Sequence, residues 1–169
     1  MQLMNIDKVR YRKNLNIVIV GFIATLLILA LIFGQLLISV FSQEGVNNFS
    51  YNLMGVVLSL LACMAILHTL KESTFFKEIY YVWQIKQIQN LIYRKLKKIK
   101  QAAQASENDA LIILIFYYQS QQQIYQLDDN TLTMNKVNKE IADLQEIITN
   151  KNLTISAEQF DKKLLTSYN

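Results

Sequence analysis

Few side chains in this 169-residue chain could carry out acid–base, nucleophilic or metal chemistry. The chain has one histidine, His68, and one cysteine, Cys63, and both lie in an uncharged, apolar stretch. Asp128 and Asp129 are adjacent, whereas paired catalytic carboxylates have to face each other across a cleft. No glycine follows Gly55, so the remaining chain cannot form a glycine-rich phosphate loop. We therefore expect no catalytic residues, no metal site, no cofactor and no enzymatic activity.

A cluster of five basic residues is the strongest candidate for a binding site. Its members are Arg94, Lys95, Lys97, Lys98 and Lys100. Such clusters attract anionic lipid, but the attraction falls off within a Debye length of about 8 Å. Two interpretations stay open: a solvated face partly paired with Asp143 and Glu146, or a patch for an acidic protein partner or lipid. Nucleic acid is the weakest candidate, because the chain beyond residue 100 is acidic.

Two uncharged stretches are long enough to cross a bilayer. They cover residues 14–43 and 45–70, and Glu44 is the carboxylate between them. A hydrocarbon core about 30 Å thick needs roughly 20 apolar residues in a helix. We predict a transmembrane hairpin with spans at about residues 15–41 and 53–70.

Positive charges on both flanks of the predicted hairpin indicate its orientation. They belong to Lys8, Arg10, Arg12 and Lys13 before the first span and to Lys71 and Lys77 after the second. The loop from Ser42 to Asn52 has no Lys or Arg. By the positive-inside rule, both termini of this multi-pass protein face the cytoplasm, including an N-terminal segment at residues 1–14. A cleaved signal peptide is the competing interpretation, but the first apolar stretch is about twice the usual length.

Small residues recur at four-residue spacing in both spans. They are Ala30 and Gly34 in the first span and Gly55 and Ser59 in the second. Small side chains let helix backbones approach closely in lipid, so we predict that these four residues form the hairpin contact. The alternative is that they only reflect the general frequency of small residues in spanning helices. Gln35 is a candidate for a polar contact with another helix, such as one from a second copy.

The sequence after the second span predicts a helical bundle. We predict an all-α membrane protein in which a two-helix transmembrane hairpin, residues 15–70, carries a cytoplasmic antiparallel bundle, residues 71–169. The bundle helices are expected at about residues 71–104, 107–127, 132–149 and 157–166. No glycine, proline or turn cluster interrupts the first of them. It is therefore expected to continue the second span without a break.

The sequence also predicts how the bundle helices begin and connect. Ser106 with Asp109, and Ser156 with Gln159, have capping-box-like spacing at the starts of two helices. Since the bundle has no glycine, its turns have to use Asn, Asp and Ser, which tolerate left-handed backbone conformations.

The third bundle helix carries an apolar seam with alternating steps of three and four residues. The seam consists of Met134, Val137, Ile141, Leu144 and Ile148. This is a heptad pattern, but it is too short for an isolated coiled coil. Packing inside the bundle and contact with a partner helix both stay open.

Several strings of residues suggest a family. They are Ile6-Asp7-Lys8, Tyr80-Tyr81-Val82-Trp83, Tyr93-Arg94-Lys95-Leu96-Lys97-Lys98, Asn108-Asp109-Ala110-Leu111, Phe116-Tyr117-Tyr118-Gln119 and Leu127-Asp128-Asp129-Asn130-Thr131-Leu132. Over nearly the whole chain the sequence resembles the domain-of-unknown-function family 3087, small membrane proteins of Gram-negative bacteria. The resemblance implies a location in the bacterial inner membrane. It implies no activity, because that family has no assigned biochemical role.

The leading functional hypothesis is a membrane-anchored interaction or scaffold module. Its partners would be the lipid bilayer and either another protein or a second copy of the chain. The alternative is a small oligomeric transport or channel component that uses Gln35 and the small residues of the spans. That alternative is weakened by the absence of an ionisable group in the core of either span.

Overall fold

The computed structural model describes residues 2–43 and 47–168. The regular structure in these residues is helical, without a strand, so the predicted all-α class is confirmed. The α-helices are α1 (Lys8–Phe41), α2 (Phe49–Leu70), α3 (Lys77–Gln104), α4 (Asn108–Leu127) and α5 (Thr131–Asn150). Two 3₁₀ segments follow, Ala157–Gln159 and Lys162–Tyr168. Glu44 and Gly45 of the predicted loop lie outside the described residues.

The chain divides into two compact units. The first, which we call the apolar-helix unit, comprises the described residues of Val9–Tyr80. The second, the bundle unit, joins residues 2–8 to residues 81–168. In the bundle unit, the Met4 N–H donates to the Tyr81 hydroxyl at 2.8 Å. The first residues of the chain are therefore part of the bundle unit, whereas the sequence had suggested a separate segment.

Both helices of the apolar-helix unit are long and apolar enough to cross a membrane. Many of their large side chains are exposed, including those of Val20, Leu27, Leu31, Leu61 and Met64. Apart from Tyr11, the buried residues are small: Gly34, Gly55, Ser59 and Cys63. This distribution is the reverse of the one that water imposes on a helix pair.

The second apolar helix does not continue into the bundle, so the predicted unbroken helix over residues 71–104 is wrong. α2 ends at Leu70 and α3 begins at Lys77. Between them, the Ser73 N–H donates to Leu70 O at 3.0 Å and the Phe76 N–H to Ser73 O at 3.1 Å, which is a turn pattern. The Phe76 N–H also approaches Ser73 Oγ at 3.4 Å. A serine side chain that binds nearby backbone in this way competes with helix continuation.

α3, α4 and α5 all end in a left-handed turn. Ser106, Asp129 and Asn152 follow these helices with φ of 65°, 55° and 52°. They are the residue types that the sequence predicted for turns without glycine. After each of them, the next N–H donates five residues back, from Glu107 to Ala102, Asn130 to Tyr125 and Leu153 to Ile148. This is the long hydrogen bond of the Schellman motif.

The predicted capping role of Ser106 is wrong. Because Ser106 takes the left-handed conformation that ends α3, it cannot also start the next helix. The N-cap of α4 is Glu107, without a side-chain capping hydrogen bond. The Ser106 hydroxyl instead accepts a hydrogen bond from Lys151 at the end of α5. This bond links the two turns at the same end of the bundle unit.

α4 is the central helix of the bundle unit. From Ala110 to Tyr118 nearly every residue is buried, as expected of a segment that is apolar on all sides. α3 contributes Ile85, Ile88, Ile92 and Ile99 to the core, and α5 contributes Val137, Ile141 and Leu144. Both α5 and the first 3₁₀ segment pack against α4.

The predicted final helix over residues 157–166 is also wrong, because two 3₁₀ segments take its place. The Lys163 N–H donates to Asp161 Oδ1 at 2.8 Å, a local bond that competes with a continuous α-helix. Between the segments, Phe160 stacks on Phe116 of α4 with ring centroids 4.0 Å apart. The Ser156 N–H donates to Gln159 Oε1 at 3.0 Å, which is one of the two bonds of the predicted capping box.

Candidate functional site

The basic cluster lies in the C-terminal half of α3 and borders a cavity of about 500 Å³. Arg94, Lys95, Lys97, Lys98 and Tyr168 line this space, which we call the basic cavity. The Tyr168 hydroxyl donates to Glu107 Oε2 at 3.3 Å. Burial and the nearby carboxylates raise the pKa of Tyr168 to about 12, so the phenol stays neutral at physiological pH. The cavity therefore has cationic walls and no carboxylate among its lining residues.

Contacts inside the bundle unit use only part of the basic cluster. Lys95 Nζ donates to the carbonyl oxygen of Leu165 at 2.8 Å. Asp143 and Glu146, which the sequence suggested as partners of the cluster, form no ion pair with the described residues. Arg94 and Lys97 likewise form none with the described part of the chain. Two cations at the cavity are thus available to an anionic group.

Another member of the cluster, Lys100, forms its contacts inside the bundle. Its Nζ lies 3.2 Å from a carboxylate oxygen of Glu140 and 5.6 Å from the ring centroid of Tyr118. Burial opposes ionisation of Glu140, but hydrogen bonds from Tyr118 and Lys100 outweigh it and lower the pKa of the carboxyl group. Burial, together with the bond to Glu140, raises the pKa of Tyr118. In this trio, the charged carboxylate of Glu140 lies between the Lys100 ammonium group and the neutral Tyr118 phenol. The three side chains link α3, α4 and α5.

The apolar seam of α5 is largely used within the bundle unit. Val137, Ile141 and Leu144 are buried, and Met134 and Ile148 are half-buried. Because α5 packs against α4, these side chains contribute to the core. The seam therefore offers little free surface to a partner helix.

The small residues of the two apolar helices meet at a close crossing. A Cβ added to Gly55 would lie 2.6 Å from Gly34 N, 2.8 Å from Gly34 Cα and 3.1 Å from Ala30 O. Ser59 is fully buried one turn further along α2, and its hydroxyl donates to Val56 O at 2.7 Å. The structure thus brings Ala30, Gly34 and Gly55 together and buries Ser59 beside them.

Gln35 lies on the outside of this crossing. It directly follows Gly34, yet its side chain is exposed. Its amide forms no hydrogen bond with the described residues. In a helix surrounded by hydrocarbon, such an amide has a free-energy cost that a second helix could offset.

One known family covers the residues of both units. A family model described as "Protein of unknown function (DUF3087)" matches residues 1–165. The chain belongs to the DUF3087 family. No curated protein and no solved structure matches the chain.

The DUF3087 match includes the basic cluster, the Glu140 trio and the glycine crossing. The family description assigns no activity to any of them, so a function has to be argued from the residues. Among residues 2–43 and 47–168, no three His, Cys, Asp or Glu side chains are grouped so that they could hold a metal ion.

Two functional features of this DUF3087 protein were missed by sequence reasoning. The Glu140 trio was missed because its members come from three different helices, and no pattern along a single helix shows which of these residues meet. The contact of residues 2–8 with the bundle unit was missed for the same reason. One signal was present: Lys8 and Asp129, which form an ion pair, both lie in strings that carry the family resemblance.

Proposed function

We propose that this protein is a membrane-anchored interaction module of the bacterial inner membrane. In this proposal α1 and α2 cross the bilayer as a hairpin, and both termini lie in the cytoplasm. The bundle unit binds an acidic region of a protein partner through the basic cavity and acts as a scaffold without catalysis.

The distribution of side chains on α1 and α2 supports the membrane anchor. Leu31 is 69 % exposed and Val20 is 67 % exposed, while Gly34 and Gly55 are buried. Contiguous apolar surface of this kind is rare on proteins surrounded by water. Exposing apolar surface to lipid carries no free-energy penalty, and close packing of small residues then holds the helices together.

The composition of the bundle unit is the observation that carries the proposed topology. Residues 2–8 precede α1 and residues 81–168 follow α2, yet the two segments form one compact unit. Segments that pack together have to be on the same side of a membrane, so the chain between them crosses an even number of times. Two spanning helices meet this condition. The basic flanks then assign that side to the cytoplasm.

The charge of the basic cavity supports an acidic partner. Arg94 and Lys97 line it without an ion pair to the described residues. The apolar seam on α5 is covered by the bundle itself, so it cannot serve as the main docking surface. Complementary charge would steer a partner to the cavity and make binding sensitive to salt.

Crosslinking in native membranes tests this function. Wild-type protein is crosslinked, gently solubilised, sized and analysed for captured proteins. The double variant Arg94→Glu/Lys97→Glu should lose at least tenfold of the captured partner. The control variant Lys139→Glu/Lys162→Glu makes the same charge change at two exposed lysines that do not line the basic cavity. A wild-type protein that stays monomeric and captures nothing, or an equal loss in the control, would contradict the proposal.

The exposed amide of Gln35 supports self-association and also keeps the transport alternative open. An interaction module predicts that Gln35→Leu lowers the dimer fraction in reconstituted vesicles but that neither protein conducts ions. A channel component predicts an ion flux that Gln35→Leu abolishes. Gln35→Asn, which keeps the amide, is the matched control for both measurements.

A further inference from the structure

α1 and α2 touch closely at one point and leave an open groove elsewhere. At the crossing there is no room for a Cβ on Gly55, which would lie 2.6 Å from Gly34 N. At Gly21, earlier in α1, an added Cβ would meet nothing within 4 Å. Gly21 therefore borders open space, whereas Gly55 is enclosed by α1.

An apolar groove of about 230 Å³ lies between α1 and α2 and includes Gly21 in its lining. Its walls include Ile17, Gly21 and Phe22 from α1, Cys63 and Leu67 from α2, and Phe76 from the turn after α2. The lining has no charged side chain. We call this space the hairpin groove.

An apolar groove of this size has to be filled by something other than water. Apolar cavities do not hold ordered water, which needs several polar partners. Left empty, the lining atoms would lose their dispersion contacts on one side. In a bilayer the most abundant apolar group is the acyl chain of a lipid.

Basic residues border the hairpin groove in the sequence. Lys13 lies one turn before Ile17, Lys71 directly follows Leu70, and Lys77 directly follows Phe76. None of these three lysines forms an ion pair with a described carboxylate, although Lys71 Nζ lies 3.0 Å from His68 Nε2. The acidic residues in the same segment are Glu72, which is exposed, and Glu78, which is paired with Arg10. The cationic excess favours an anionic phospholipid headgroup over a zwitterionic one.

We infer that the hairpin groove binds one acyl chain of an anionic glycerophospholipid, with its phosphate held by Lys13, Lys71 and Lys77. This inference rests on the proposed insertion of α1 and α2 into a membrane. It adds a defined lipid site to the anchor.

Lipid retention by the full-length protein tests the site. The protein is purified in mild detergent, supplied with equal amounts of phosphatidylglycerol and phosphatidylcholine, and analysed by native mass spectrometry. Wild type should retain one phosphatidylglycerol in preference to phosphatidylcholine. Gly21→Phe, which places a ring in the open space beside Gly21, should lower retention at least fivefold. Val20→Phe is the control, because Val20 is exposed and does not line the groove.

A second variant separates headgroup recognition from filling of the groove. Lys13→Gln/Lys71→Gln/Lys77→Gln should still retain a lipid but should lose the preference for phosphatidylglycerol. Because Gly21→Phe could disturb packing, Gly21→Ile serves as a smaller filling variant and should lower retention in the same direction.

The remaining outcomes overturn the inference. They are a wild type that retains no lipid, equal retention of both lipids, an unchanged Gly21→Phe variant, or a dimer that Gly21→Phe dissociates, which would assign the groove to a second copy. Sedimentation of native membranes after alkaline carbonate extraction tests the membrane anchor separately from the lipid site in the hairpin groove. Loss of the protein from the membrane pellet contradicts the anchor itself, whereas a membrane-embedded protein without bound lipid contradicts only the groove site.

Discussion

The apolar-helix unit and the bundle unit place the same kinds of residue in opposite positions. In the apolar-helix unit, leucine and valine side chains are exposed and glycine is buried. In the bundle unit, Ile85 and Phe116 are completely buried, and lysines such as Lys97 remain on the surface. One chain thus contains both arrangements, and the boundaries between them fall at Lys8/Val9 and Tyr80/Tyr81.

The proposed insertion of α1 and α2 into a bilayer explains this difference, because the surrounding solvent, and not the residue alone, decides which side chains form a helix contact. In water, burying a large apolar side chain is favourable by about 1.5–3 kcal/mol, so such residues gather in the core. In hydrocarbon this gain disappears, and a contact depends on how closely two backbones approach. Removing a large buried side chain should therefore harm the bundle unit most, and enlarging a small buried residue should harm the apolar-helix unit most.

The largest effect is expected from Phe160→Ala in the bundle unit. Phe160 is 2 % exposed and stacks on Phe116, so truncation leaves a cavity in the core. Large-to-small substitutions of buried phenylalanine typically cost about 3–5 kcal/mol. Trp83, the single tryptophan, lies in the bundle unit, and its fluorescence during urea unfolding of the reconstituted protein measures this loss.

The matched control is Phe41→Ala in the apolar-helix unit, where the ring is 59 % exposed. We expect a change below about 0.5 kcal/mol, because an exposed side chain in lipid loses no packing partner within the protein. A comparable loss of unfolding free energy for the two substitutions would show that both units bury aromatic rings in the same way. The contrast between the two units would then be wrong.

The next effect is expected from Gly55→Ala in the apolar-helix unit. The added Cβ would meet the backbone of Gly34, which cannot rotate away, so α1 and α2 have to separate. Overpacking of this kind costs about 1–3 kcal/mol. Cys63, the single cysteine, is buried in this unit, and its labelling by a membrane-permeant thiol reagent should become at least tenfold faster.

Alanine substitutions at two other glycines provide a graded comparison with Gly55→Ala. Gly21→Ala should leave Cys63 labelling unchanged, because nothing lies within 4 Å of the added Cβ. Gly34→Ala should have an intermediate effect, since its Cβ would meet the movable side-chain oxygen of Asn52 at 3.0 Å. Equal labelling rates for all three variants would mean that the Gly34–Gly55 crossing does not hold the helices together.

Features encoded in short stretches of sequence could be predicted. Continuous apolar sequence placed the end of the first span at Phe41, where α1 also ends in the structure. The lack of glycine required other residues in left-handed turns, and Asp129 and Asn152 are two of them. Both features depend on the local physical chemistry of a few neighbouring residues.

Features that depend on distant contacts or on weak local competition could not be predicted. The break between α2 and α3 depends on one serine, Ser73, and no glycine or proline marks it. The acidic partner of the basic cluster is Glu140 of α5, one turn from the predicted Asp143, because the phase of α5 is set by its packing on α4. The basic cavity also requires Tyr168, which a sequence pattern could not place beside α3.

The smallest effect is expected from Glu140→Gln, which tests whether charge contributes to the stability of the bundle unit. The Lys100–Glu140 pair is partly exposed, so at pH 7 we expect a loss below about 1 kcal/mol. The pKa of Glu140 is lowered from 4.5 in the folded protein. Its contribution is therefore present above pH 4.5 and is lost as the pH falls through the folded-state pKa. The stability difference between wild type and Glu140→Gln, followed by Trp83 fluorescence, should shrink in acid.

The pH dependence of this difference distinguishes charge from shape. Glutamine fills the same space and can still accept a hydrogen bond from Tyr118, so a purely steric effect would be the same at every pH. Lys139→Gln is the matched control, because Lys139 is exposed, forms no ion pair with the described residues and is not among the charges that lower the pKa of Glu140. If the Glu140→Gln difference stays constant in acid, or if Lys139→Gln reproduces it, the trio is not held by charge. The bundle unit would then differ from the apolar-helix unit only in where it places its apolar side chains.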